Sequence, residues 1–182
     1  MKLHVAYKES VEGEVLDAEV TPYGISGTTV VVYAGDYCAA IEPLSPEPVE
    51  FVGSDTVAYS GARSFYFATE AGDLDRLFTN FRCWTLKETN NMGVYPMMIC
   101  LPHEDYENDM VYLDSALPLP TTDPGRNSPN ITLDSEETYI TYSAAPEKTE
   151  LIRVQLRVLK SPIISGTYDV AFKLFFAWEE IP

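Results

Sequence analysis

Residues 151–160 read LIRVQLRVLK and residues 168–178 read YDVAFKLFFAW, and these two stretches decide the fold. In both, apolar residues recur at every second position. Those of the first stretch are Ile152, Val154, Leu156 and Val158. Those of the second are Tyr168, Val170, Phe172, Leu174, Phe176 and Trp178. A strand places alternate residues on one face, whereas a helix would scatter them, so the sequence predicts two long strands that either pair or cross between sheets.

Turn-forming Gly, Pro, Asn and Asp residues separate a series of shorter strand-like runs along the rest of the chain. These predicted strands are Leu3–Tyr7, Glu14–Val20, Thr28–Ala34, Tyr37–Ile41, Val49–Val52, Thr56–Ser60, Ser64–Thr69, Phe81–Lys87, Pro96–Leu101, Met110–Leu113 and Thr138–Ser143. Only Asp73–Phe78 has helical spacing, with Asp73 as the cap. We therefore expect an all-β fold: a single antiparallel β-sandwich domain over residues 1–182, jelly-roll-like, with one short helical turn.

Two proline-rich segments interrupt this pattern. Residues 42–48, EPLSPEP, hold three prolines among acids, which predicts a stiff and extended acidic connector. Residues 115–130, SALPLPTTDPGRNSPN, hold four prolines over 16 positions. A loop of that length inside a compact domain is usually a binding loop or a mobile one, so both remain open.

The charge of the chain is strongly negative, with 28 acidic against 12 basic residues and a formal net charge of −16. No Lys or Arg lies between Lys8 and Arg63, or between Lys87 and Arg126. Such a surface repels phosphate, which argues against nucleic-acid binding and against docking on anionic membranes. The first ten residues, MKLHVAYKES, lack the continuous apolar core of a signal peptide, and no apolar run is long enough for a membrane span.

The most acidic stretch, residues 103–114, reads HEDYENDMVYLD and raises the question of a metal site. Glu104, Asp105, Glu107 and Asp109 could supply oxygens to calcium, the one cofactor that the chain suggests. No glycine turns the chain among them, so a solvated loop that enters a strand is the alternative. Catalytic zinc usually needs three protein ligands, mostly histidine, and His4 and His103 are the two histidines of the sequence.

No catalytic motif stands out. The sequence has no GxSxG turn, no CxxC pair and no phosphate-binding loop. The three cysteines, at positions 38, 83 and 100, lie in apolar runs and are predicted to be free buried thiols, with one disulfide as the alternative. A non-enzymatic protein is therefore the leading hypothesis. A hydrolase with a carboxylate pair ranks third, after a carbohydrate- or protein-binding module.

The last strand-like segment, GTYDVAFKLFFAWEEIP at residues 166–182, resembles the closing strand of jelly-roll coat proteins from small icosahedral RNA viruses. In that family a glycine precedes alternating apolar residues, and a proline follows soon after the strand. Such coat shells often carry a basic N-terminal arm for RNA, which this sequence lacks. The resemblance therefore implies a protruding or decorating domain on the virion surface, which contacts other particle proteins and a host receptor or glycan.

The residues themselves suggest how such a protein would assemble. Arg153, Arg157 and Lys160 form a basic strand face in an acidic chain, and they meet either acids of a second subunit or acids of the same molecule. We expect a homo-oligomeric viral or phage structural protein. The alternative is a soluble carbohydrate- or protein-binding module, with or without calcium, whose candidate platform residues are Trp84, Tyr95, Tyr106 and Tyr112.

Overall fold

The computed structural model describes residues 1–8, 15–19, 24–26, 29–33, 56–59, 62–87, 93–103, 115–133, 137–160 and 172–181. Nearly all regular structure in these ranges is β-strand. The first six strands are β1 (Lys2–Lys8), β2 (Val15–Glu19), β3 (Gly24–Ser26), β4 (Thr29–Tyr33), β5 (Val57–Tyr59) and β6 (Arg63–Ala68). The others are β7 (Leu77–Lys87), β8 (Val94–Leu101), β9 (Leu117–Pro118), β10 (Ile140–Thr141), β11 (Leu151–Leu159) and β12 (Phe172–Ile181).

The strands form two antiparallel sheets. Sheet A has the order β2-β1-β6-β11-β8-β9, and β5 pairs with the end of β11. Sheet B has the order β10-β7-β12-β4-β3. Most neighbours in each sheet are not consecutive in sequence, because the chain passes repeatedly from one sheet to the other. The predicted all-β sandwich is confirmed, and the jelly-roll connectivity stays a prediction.

The two long strands of the sequence pattern lie in different sheets and face each other across the core. Ile152 and Val154 of β11 and Leu174 and Phe176 of β12 belong to one buried cluster, as the alternation predicts. Phe67 of β6 packs its ring against Phe81, Phe176 and Trp178 of sheet B, at centroid separations of 5.3, 5.8 and 5.4 Å. The hydrophobic core is therefore the layer between the sheets.

The predicted helical segment at Asp73–Phe78 is wrong in its position. The structure has a single 3₁₀ turn at Ala71–Asp73 in this region, with Glu70 as its N-cap. Asp75 then adopts a left-handed backbone conformation with φ 64°, which ends the helical path. Leu74 is exposed and Phe78 is buried in β7, so the apolar spacing that predicted a helix serves a turn followed by a strand.

The proline-rich segment 115–130 runs along the edge of the sandwich from sheet A to sheet B. Its strand β9 pairs with β8, and the Leu119 amide donates to the Pro96 carbonyl at 2.9 Å. The Pro120 carbonyl then accepts from the Thr85 amide of β7 at 2.9 Å. The segment thus covers an edge of each sheet and satisfies backbone groups that would otherwise attract another strand. The other proline-rich segment, residues 42–48, lies outside the described residues.

Candidate functional site

The acidic stretch falls almost entirely outside the part of the chain that the structure describes. This applies to Glu104, Asp105, Glu107 and Asp109, and to the platform candidates Tyr106 and Tyr112. Within the described ranges, no group of three or more His, Cys, Asp or Glu side chains is placed to hold a metal ion. The calcium site therefore remains a prediction.

The two histidines, 99 positions apart in sequence, meet on the outer face of sheet A. The His4 ring stacks on Tyr66 with centroids 4.9 Å apart, because β1 places His4 directly opposite Tyr66 of β6. The His103 ring meets the edge of Tyr66 at 5.0 Å, and the Lys148 ammonium lies over the same ring at 5.0 Å. His103 Nε2 donates to the Thr149 carbonyl at 2.9 Å, so that nitrogen has no lone pair for a metal. This cluster packs the sheet face.

The predicted basic face is only partly on the surface. Arg153 is 5% exposed, and its Nε lies 3.4 Å from Ser64 Oγ of the neighbouring strand. Arg157 is half-buried, and Lys160 is exposed just beyond β11. The Arg157 Nε and the Nε2 of Gln155 are buried donors without an acceptor in the described structure. A surface that contacts this strand would need acceptors such as carboxylates for these donors. The intersubunit role of Arg153, Arg157 and Lys160 stays a prediction.

Cys83 and Cys100 are free thiols, as predicted; Cys83 is buried in the core and Cys100 is half-buried beside it, while Cys38 lies outside the described residues. Burial raises the pKa of Cys83 well above its usual value, and the nearby Cys100 adds to that effect. Burial also raises the pKa of Cys100, against hydrogen bonds to Thr132 that lower it. Since the thiolate is the nucleophile, neither side chain is poised for catalysis at neutral pH.

We expect Cys83 to react with iodoacetamide only when the protein unfolds, and Cys100 to react slowly in the folded protein. The physical reason is that burial excludes the reagent and keeps the thiols protonated. Peptide-level mass spectrometry, with and without denaturant, measures the two rates separately. Rapid labelling of Cys83 in the native protein would contradict its burial in the core.

Asn130, the acceptor of an Asn-Ile-Thr glycosylation triplet, acts as a backbone mimic at the edge of β7. Its side-chain Oδ1 accepts from the Cys83 amide at 2.8 Å, and its Nδ2 donates to the Cys83 carbonyl at 2.8 Å. These two bonds reproduce the pairing of a neighbouring strand. The nitrogen that a glycan would modify is therefore engaged inside the fold.

The outer face of sheet B carries large apolar side chains in contact with solvent. Trp84 of β7 and Phe175 of β12 are half-buried and stack with centroids 5.4 Å apart and planes 10° from parallel. Leu86, two residues along β7 from Trp84, is 50% exposed. The core-facing side of the same strand is formed by Phe81 and Cys83, so β7 is apolar on both faces.

The strand register sets further positions of four strands beside these residues, and none of these positions is acidic. β12 sets Lys173, Phe175 and Ala177 opposite Leu86, Trp84 and Arg82 of β7. On the other side of β12, Tyr33, Val31 and Thr29 of β4 lie opposite Lys173, Phe175 and Ala177. Gly24 and Ser26 of β3 then lie opposite Val31 and Thr29. These eleven positions, which we call the acid-free face, contain no Asp or Glu in a chain with 28 of them.

At one end of the acid-free face, Arg82 is buried and paired with carboxylates from neighbouring segments. Arg82 Nε contacts Asp123 Oδ1 at 2.9 Å, and its Nη1 lies 3.5 Å from Glu179 Oε1. Glu179 also accepts from Arg126 Nε at 2.9 Å and from Asn80 Nδ2 at 3.0 Å. An apolar centre with a polar, charge-paired border is the usual composition of a protein–protein contact surface.

Searches against protein-family models, curated proteins and solved structures found no match. No helix in the described ranges is both long and apolar enough to cross a membrane.

Proposed function

We propose that this chain is a non-enzymatic structural protein of a viral or phage particle, exposed on the particle surface, which acts through self-association. The observation that carries the proposal is the acid-free face of sheet B, with Trp84 and Phe175 stacked at its centre and Leu86 half exposed. Exposed apolar patches bordered by polar residues mark interaction sites on soluble proteins. The assignment to a particle rests on the resemblance of residues 166–182 to the closing strand of coat proteins.

The sandwich architecture supports a role in presenting surfaces. One edge of each sheet is covered by backbone pairing from residues 115–131 and by the short strands β9 and β10, which leaves the sheet faces, the loops and the edge strands β2 and β3 as contact regions. Burial raises the pKa of both described thiols, and both histidines pack on Tyr66, so neither residue type is set up for catalysis in the described residues.

Size-exclusion chromatography with light scattering, run over a range of concentrations, tests the proposal. We expect a discrete oligomer whose population rises with concentration and is the same in calcium and in chelator. A protein that stays monomeric at every concentration would overturn the proposal. An oligomer that dissociates in chelator would instead place a cation in its assembly.

A carbohydrate- or protein-binding module is the second candidate, because a half-exposed Trp84–Phe175 stack is also a surface on which a sugar ring can lie. Such a module would be stabilised by its ligand through mass action. A melting-temperature screen against simple sugars separates the two candidates: a monomer whose melting temperature rises with one sugar, and falls back in Trp84→Ala, would favour the binding module.

A further inference from the structure

We infer that the acid-free face binds the same face of a second copy of this chain, so that two copies pair about a two-fold axis. This inference rests on the proposed function and names the partner and the contact surface. A two-fold contact uses the same patch on both subunits, which requires a patch that is complementary to itself. Apolar side chains such as Trp84, Phe175 and Leu86 meet this requirement because they pair with themselves.

Electrostatics favour the same face over other surfaces of this chain. A protein with a net charge of −16 exposes many carboxylates, and burying a carboxylate in a contact weakens that contact unless a cation pairs with it. The acid-free face offers Arg82 and Lys173 as its only basic positions, and Arg82 is already paired with Asp123 and Glu179. Two acid-free faces bring no carboxylate from these eleven positions into the contact, whereas an acidic surface placed on this face would bring several.

The extent of the face sets the expected strength of the contact. Three strands with five residues each and β3 with three residues, spaced about 4.8 Å apart, span roughly 300 Å². Arg82 and Ala177 at one end of these rows are buried, so only part of that area is open to a partner. Standard stable interfaces bury about 800 Å² per partner. The acid-free face is therefore the centre of a small contact, and we expect reversible pairing that is visible only at high protein concentration.

A matched pair of variants tests the surface. Leu86 lies on the acid-free face, whereas Leu117, which is 72% exposed, lies on β9 at the edge of sheet A. Leu86→Glu and Leu117→Glu add the same negative charge to an exposed strand position, so both proteins have the same net charge. We expect Leu86→Glu to weaken association at least about tenfold, while Leu117→Glu associates like the wild type. Near-ultraviolet circular dichroism and the melting temperature establish that both variants are folded.

The outcomes distinguish this inference from the proposed function. Association that survives Leu86→Glu would overturn the contact surface and leave self-association standing. Equal weakening by both variants would show a response to total charge and would also overturn the surface. A wild-type monomer at every concentration would overturn both. A closed dimer lost only in Leu86→Glu is the expected result, since a two-fold contact uses up the face on each copy.

Discussion

Phe67→Ala should lower the free energy of unfolding by about 3–5 kcal/mol, the range found when a fully buried phenylalanine is truncated. Phe67 has no exposed surface, and its ring contacts three aromatic rings of the opposite sheet. Removing it takes away the side chain that joins the two layers of the sandwich and leaves a cavity that rigid strands cannot close. For a domain whose total stability is about 5–15 kcal/mol, the variant would be close to unfolding. Urea denaturation followed by fluorescence measures the change.

Phe175→Ala is the matched control for this prediction. Phe175 is also an aromatic residue of a central strand, but it points to the outer face of sheet B, where it is half-buried and stacks on Trp84. Its truncation should cost about 1–2 kcal/mol, from the lost ring pair and the smaller buried area. Equal costs for the two variants would contradict the assignment of Phe67 to the core and Phe175 to the surface.

The strands were predictable where one face is apolar and the other polar. β11 is the clear case: Ile152, Val154 and Leu156 lie in the core, as the alternation predicts. The burial of Arg153 and Gln155 on the opposite face was not predictable, since sequence alternation reports which side faces the core and not what covers the other side. β3 and β9 were missed because they lie among Gly and Pro residues that predict turns and loops, whereas the equally short β5 and β10 lie in strand-like runs of the sequence.

The sites were harder to predict because they depend on which strands become neighbours. In residues 81–86, FRCWTL, both alternating sets contain apolar residues, so the sequence does not say which set faces the core. Only the pairing of β7 with β12 brings Trp84 to Phe175 and reveals a face without acids. The meeting of His4 and His103 on Tyr66 likewise follows from the β1–β6 pairing, which no local pattern specifies.

Asp73→Asn should lower the free energy of unfolding at neutral pH by about 3 kcal/mol, as expected when one member of a buried ion pair is removed. The Asp73 carboxylate is 1% exposed and accepts from the Met1 ammonium, from the Glu70 amide at 2.9 Å and from Arg76 Nη1 at 3.1 Å. An amide cannot neutralise the Met1 ammonium, and the Met1 side chain beside it is only 3% exposed. Urea denaturation at pH 7 gives the difference between the two proteins.

The Asp73 carboxylate also predicts how the stability of the protein depends on pH. Burial by itself would raise the pKa of Asp73, but the ammonium, the Glu70 amide and Arg76 together lower that pKa below its usual value of 3.8. A carboxyl whose pKa is lower in the folded state stabilises the protein fully above its unfolded pKa and loses that contribution as the pH falls through the folded value. The stability difference between wild type and Asp73→Asn should therefore be constant from pH 7 to about pH 5 and shrink below about pH 4.

Glu180→Gln is the control, because it removes a carboxylate that also pairs with Arg76 but lies on the surface. Solvent screens that pair, so its loss should change the unfolding free energy very little at any pH. Equal destabilisation by Glu180→Gln and Asp73→Asn would mean that the stabilisation comes from the exposed Arg76–Glu180 pair and not from the buried Asp73 carboxylate. A large effect of Asp73→Asn alone that fades in acid would locate the stabilisation in the buried Asp73 carboxylate. That carboxylate pairs the Met1 ammonium, just before β1, with the turn that precedes β7.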